Sequence, residues 1–171
     1  MSRRGSAGYT LTEAMLAVAI LGIISTVGAN LVIQTQRYIR LTMARTAIQR
    51  DSRAALSTIN RELRQGLAST VVIDQVTGQP PQSRVTFDRY KPDGTTQTVC
   101  YYQQGRKLFL KLGSASSGKA IADGLRYLAF TYPKTDDDAI ISVSVTFESA
   151  TVGSQTKALQ MAVEKVRIMN P

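Results

Sequence analysis

Gly8, Tyr9 and Glu13 have the residue types and spacing to do chemistry together. A short basic leader, Met-Ser-Arg-Arg-Gly-Ser-Ala-Gly, ends at Gly8 just ahead of an apolar run. Hydrolysis of the Gly8–Tyr9 peptide bond would discard residues 1–8 and create a new α-amino group on Tyr9. Glu13 follows four residues later, about one helical turn away. An ammonium and a carboxylate at that spacing can pair within one chain or between two neighbouring chains. The carboxylate needs such a partner, because a charged side chain costs on the order of 3 kcal/mol at the centre of a bilayer and less toward its interface.

The element that must carry these residues is apolar and long. Ala14 to Ile33 is twenty residues in which only Ser25, Thr26 and Asn30 are polar. At ~1.5 Å per residue it makes a helix of ~30 Å, one hydrocarbon thickness. A secretory signal would place a small-residue cleavage site after such a core and lose it. Here no Ala-x-Ala pattern follows before the charged stretch from Arg37 to Arg45, and a cut after Gly8 would precede the core, so the mature chain would keep its helix. Arg3 and Arg4 favour a cytoplasmic N-terminus, but Arg37, Arg40 and Arg45 stand just beyond the other end of the span, so charge alone leaves the orientation open.

Helical patterning continues past the membrane segment. Between Leu31 and Leu67 there is no proline and no glycine before Gly66, and Leu41, Ala44, Ile48, Ala55, Ile59, Leu63 and Leu67 recur along one face. Seven arginines against two acids give residues 31–67 a net charge of +5, so the solvent side of this amphipathic helix is basic. One helix from about Tyr9 to about Gln65 is expected, roughly 85 Å if straight, with Gly22 and Gly28 as bending points and Gly66 as its C-terminal stop.

From Ala68 onward the chain is punctuated like a sheet. Strands are expected at Val71 to Asp74, Arg84 to Arg89, Gln97 to Gln103, Lys107 to Leu112, Arg126 to Tyr132, Ile140 to Glu148 and Leu159 to Ile168. Ile141, Val143, Val145 and Phe147 alternate with Ser142, Ser144 and Thr146, the pattern of a half-buried antiparallel strand. Gln103-Gln104-Gly105-Arg106 suits a hairpin turn. The expected fold is α+β: a long N-terminal helical stem whose first half spans the membrane, with an antiparallel β-sheet head packed on its second half. The corresponding segments are 1–8 leader, 9–33 membrane-spanning helix, 34–67 amphipathic stem and 68–171 β-rich head, with 34–171 expected to form one soluble domain.

Composition argues against catalysis. The chain has no histidine and a single cysteine, Cys100, which lacks an activating partner in sequence and cannot form an internal disulfide. Cys100 lies within a strand and is expected in the core. Gly113 to Lys119 matches the first seven positions of a P-loop, but Ala120 stands where a hydroxyl must reach magnesium and no long helix follows, so a Gly/Ser loop is expected. Asp136-Asp137-Asp138 lacks a wider ligand pattern and reads as a solvated turn. No cofactor and no metal is expected.

The basic leader ending in Gly8, the aromatic Tyr9, Glu13 and the apolar run resemble a type IV prepilin N-terminus. That resemblance implies cleavage between Gly8 and Tyr9 by a prepilin peptidase, N-methylation at Tyr9, and a role for Glu13 in docking the subunit into a filament. It implies a single-pass protein of the inner membrane with the N-terminus in the cytoplasm and the head outside. Its partners would be inner-membrane lipid and other minor and major pilins or pseudopilins. The order of motifs in the head, from Ile59-Asn60-Arg61-Glu62 through Lys107-Leu108-Phe109-Leu110 and Leu125-Arg126-Tyr127 to Val166-Arg167-Ile168, resembles J-type minor pseudopilins of type II secretion and PilW-like minor pilins. The implied function is structural, in building or initiating a pilus or pseudopilus. The rival is a competence pilin that captures DNA with Arg84, Arg89, Lys91, Arg106, Lys107, Lys111, Lys119 and Arg126 interleaved with Tyr90, Tyr101 and Tyr102. Against it, the chain's formal charge of +9 leaves only +3 for residues 68–171.

Overall fold

The computed structural model describes residues 10–150 and 157–170. A single α-helix, α1, runs from Leu11 to Arg64 and passes through Gly22 and Gly28 without interruption. The chain divides into two compact units, residues 1–40 and 41–171.

In the first unit, the residues from Leu11 to Arg40 expose apolar side chains on every face. Its few hydroxyls are satisfied locally: Ser25 Oγ donates to the Leu21 carbonyl at 2.8 Å and Thr26 Oγ1 to the Gly22 carbonyl at 2.9 Å. Bonding back to the preceding turn lets hydroxyls sit on an apolar helix without presenting an unpaired donor to hydrocarbon.

The second unit is the α+β head. Its strands are β1 (Val72–Asp74), β2 (Arg84–Tyr90), β3 (Thr96–Gln104), β4 (Lys107–Leu112), β5 (Lys119–Asp123), β6 (Leu125–Thr131), β7 (Ile140–Ala150) and β8 (Lys157–Arg167). They form two antiparallel sheets, β1-β2-β3-β4-β5 and β6-β7-β8. The sheets are stitched by backbone hydrogen bonds: the Phe130 N–H donates to the Gln82 carbonyl and the Leu125 N–H to the Arg106 carbonyl, both at 2.9 Å.

Ile48, Ala55, Ile59 and Leu63 are buried as the helical stripe predicts, joined by Leu56 and Ser52, while Leu41, Ala44 and Leu67 lie at its half-buried ends. This stripe packs into one core with Val85, Phe87, Val99, Tyr101, Leu108, Leu125, Leu128, Phe130 and the inner face of β7. Each large side chain fully removed from water there contributes about 1.5–3 kcal/mol of transfer free energy. Ile141, Val143, Val145 and Phe147 are all inaccessible to solvent, as their alternation predicts. The β3–β4 hairpin turns through Gly105 and Arg106, with Gly105 at φ 60°, so the expected turn is present and its first position uses the conformation that glycine adopts most readily.

Several expectations need correction. Residues 113–118 form the expected Gly/Ser loop, but Lys119 already opens a fifth strand that was not expected, paired with β4 across a register shift between Leu108 and Phe109. The head holds two sheets where one was expected. Cys100 is in a strand but not in the core; Val99, Tyr101 and Gln103 point inward, so the intervening Cys100 is half-buried on the opposite face of β3. Gly66 follows the helix end at Arg64, but it is not in the left-handed conformation of a helix-terminating glycine. What requires glycine is a close approach: a Cβ at this position would lie 2.8 Å from the Phe87 ring and 3.1 Å from the Leu63 carbonyl oxygen.

Candidate functional site

The site begins where α1 begins. Glu13 Oε2 accepts hydrogen bonds from the Thr10 backbone N–H at 3.0 Å and the Thr10 hydroxyl at 3.1 Å, and the Glu13 N–H points back to Thr10 Oγ1 at 3.4 Å. This is a capping box, in which a hydroxyl residue and a glutamate three positions later satisfy donors that a helix N-terminus leaves unpaired. Its sequence signal, Thr-x-x-Glu directly before an apolar run, was present in Thr10-Leu11-Thr12-Glu13 and went unread. The Glu13 carboxylate therefore has a local structural task at the helix start, immediately before the apolar stretch from Ala14. Gly8 and Tyr9 lie outside the described residues.

Beyond Glu13 the helix is long and apolar enough to cross a membrane, and none of its most hydrophobic stretch is buried within the chain. Leu11, Met15 and Val18 are each at least two-thirds exposed. A helix apolar all round needs lipid or protein on every side. Among the described residues no other α-helix is present to supply it.

Of the eight cations named for DNA capture, five (Arg84, Arg89, Arg106, Lys107 and Arg126) are committed to internal pairs. Arg84 makes a two-pronged ion pair with Asp74 and holds that carboxyl below its ordinary range, chiefly through the hydrogen bond. Arg89 pairs with Glu62 on α1 and reaches Gln97 at 3.2 Å, fastening the helix to β2. Arg126 meets the buried Glu148 at 3.0 Å, and Arg106 donates to the Glu148 backbone carbonyl at 3.0 Å. Lys107 stands 3.7 Å from Asp123. Of the aromatic residues named for base stacking, Tyr101 is wholly buried, and burial pushes its phenol up to about 12 against the pull of Arg89 and Arg61. Tyr102 is stacked on Phe109 with ring centroids 5.4 Å apart, leaving Tyr90 exposed. This arrangement does not assemble a row of uncommitted cations between open rings. Binding of the protein to duplex DNA, measured across a salt series, is accordingly expected to be weak. Submicromolar affinity at physiological salt, falling steeply as salt rises, would reinstate the DNA-capture reading.

Asp137 Oδ1 accepts from the Ala139 N–H at 3.1 Å, so that aspartate closes the turn into β7. Lys119, the lysine of the P-loop-like segment, is paired with Leu110 in a strand, and no helix N-terminus follows it.

Comparison with known proteins adds one finding. The family model for the prokaryotic N-terminal methylation motif matches residues 3–29. No curated protein and no solved structure matches the chain. The matched residues take in the basic leader, Glu13 and most of the exposed apolar helix, and the rest of the chain has the α+β architecture of a head carried on that helix. By this motif and this architecture the chain is type IV pilin-like: a prepilin-type N-terminus on a helix able to cross a membrane, leading into a β-rich head.

Proposed function

We propose that the chain is a minor pilin or pseudopilin, most similar to the J-type and PilW-like kinds, that helps initiate or build a type IV pilus or a type II secretion pseudopilus. Prepilin peptidase removes residues 1–8 and Tyr9 is then N-methylated. The trimmed subunit waits in the inner membrane with its head outside the cytoplasm, and Glu13 pairs with the α-amino group at Tyr9 of its own chain or a neighbour as the subunit enters the filament. Residues 34–171 form one soluble domain and residues 9–33 supply the filament core.

One observation carries this reading: an apolar helix, exposed on every face, continues without a break into the helix that forms the spine of the head. A simple anchor would need only the span. Continuity into the stem suits a subunit whose helices bundle together in a filament while the heads form the outer surface. The amphipathic stripe of the stem is already covered by the sheets, so the apolar first half is what remains for partners.

Intact mass, measured on protein from its native host, is expected to show loss of residues 1–8 and the gain of one methyl group. A mature chain that began after Ile33 would overturn the proposal, because the filament-core helix would then be discarded.

A further inference from the structure

Strand β8 closes the three-stranded sheet, and no strand among the described residues pairs with its outer edge. It is registered to β7 over eleven consecutive pairs, from Ile140↔Arg167 to Ala150↔Lys157, without a bulge and without a proline. A long, regular edge of this kind presents a row of unpaired N–H and C=O groups that template another strand, and proteins ordinarily shorten, kink or cover such edges. Among the described residues β8 is neither shortened, kinked nor paired at that edge, and Lys165 and Arg167 put charge near its end.

The two flanks of this edge have different chemistry. On the outer face, Leu159, Met161 and Val163 recur at the strand period of two and are 56%, 71% and 55% exposed. On the inner side, a groove of about 560 Å³ runs between β8 and α1, lined by Arg53, Ser57, Asn60, Arg61, Arg64 and Glu164. Arg61 stands 3.7 Å from Glu62, and Glu164 is held by the Asn60 amide. Arg53 and Arg64 have no ion-pair partner among the described residues, so the groove carries a surplus of positive charge beside an open backbone edge.

From this juxtaposition we propose that the β8 edge and the arginine groove form a docking site for an extended segment of another protein chain, one that alternates acidic and apolar residues. The segment adds as a further strand to β8. Its backbone satisfies the edge, its apolar residues lie beside Leu159, Met161 and Val163, and its carboxylates, on the opposite face at the same period of two, point to Arg53 and Arg64. A helix fits less well, since it would leave the β8 backbone unpaired and meet a groove whose lining, apart from Met169, is polar. The proposal goes beyond the filament reading, which places association in the apolar first half of α1.

The test uses the full chain in zwitterionic detergent and capped synthetic peptides of about nine residues, the length of a typical long strand. One peptide alternates valine with glutamate, a second alternates valine with lysine, and a third is a glutamate-rich helical peptide. Hydrogen exchange followed by mass spectrometry should show slowed exchange across residues 158–166 with the valine-glutamate peptide and not with the other two. Affinity should fall about tenfold or more in the Arg53→Glu, Arg64→Glu double variant, a loss of at least about 1.4 kcal/mol. Both arginines are exposed on the helix surface, and binding by the unaltered chain should also weaken as salt rises, which tests the charge term without any variant. No slowing along β8, binding insensitive to both charge reversal and salt, or equal protection by the helical peptide would each overturn the proposal.

Discussion

Glu13→Gln is expected to exclude the protein from filaments as thoroughly as Glu13→Ala, although glutamine can keep the hydrogen bonds that the structure shows. The side-chain oxygen of Glu13 accepts from the Thr10 N–H and hydroxyl, and a glutamine carbonyl serves equally well in a capping box. Alanine removes both the cap and the charge, whereas glutamine removes only the charge. The cap itself is worth about 0.5–2 kcal/mol of helix stability at one end of a 54-residue helix, too little to change the state of the whole element. Membrane insertion should not suffer in either variant, because losing a carboxylate lowers the insertion cost by up to about 3 kcal/mol. Cleavage after Gly8 is likewise expected to continue.

The consequence is a two-part readout. Fractionation of sheared filaments from membranes should show both variants retained in the membrane and depleted from filaments by about tenfold or more, corresponding to loss of at least about 1.4 kcal/mol of docking energy. If Glu13→Gln incorporated normally while Glu13→Ala did not, the carboxylate would act only as a helix cap. If both incorporated normally, the ion pair with a Tyr9 α-amino group would be excluded as a docking contact.

How much was legible in the sequence follows from how local each signal is. The exposed apolar helix was legible because its only requirement is a run of apolar residues about as long as a bilayer is thick. The stem stripe was legible because Ile48, Ala55, Ile59 and Leu63 repeat at helical spacing, and β7 because its alternation is strict. Strand β5 was not, since Lys119–Asp123 is a short edge strand with charged ends and glycines on either side; pairing with β4, a tertiary event, is what makes it a strand. Division into two sheets was equally invisible, because alternation along a strand does not say which strand lies beside it. Gly66 was assigned the right place and the wrong reason: proximity to Phe87, twenty-one positions away, cannot be seen in the residues around it. At the site, the Thr10–Glu13 cap was present in the sequence as Thr-x-x-Glu before an apolar run, but the charge of Glu13 fits an ion-pair role equally well, and only the structure shows the hydrogen bonds.

Leu63→Ala should destabilise the head strongly, and it doubles as a test that residues 34–171 are one domain. Leu63 lies in the last turns of α1 with no solvent exposure, inside the same core as Phe87, Tyr101 and Val99 from the five-stranded sheet and Val166 and Ile168 from the region of β8. Truncating it removes transfer free energy and leaves a cavity that cannot collapse easily, because the helix is pinned nearby by the Arg89–Glu62 pair and by the contact of Gly66 with Phe87. Such substitutions cost about 2–5 kcal/mol. A fragment beginning at Gln34 should be soluble, mostly monomeric, and show mixed helix and strand by circular dichroism; its thermal midpoint should fall by about 10 °C on Leu63→Ala, taking about 3 °C per kcal/mol for a domain of this size. Met43→Ala is the matching control, since Met43 is 67% exposed on the same helix and should shift the midpoint by little. Equal effects of the two substitutions, or a fragment that is disordered before any substitution, would mean that the stem and the sheets do not fold as one cooperative unit. A selective effect of Leu63→Ala would place the energetic centre of the head at the helix end, where the stem, both sheets and the Gly66 approach meet, and would explain why the amphipathic half of α1 is already covered while its apolar half is left for association.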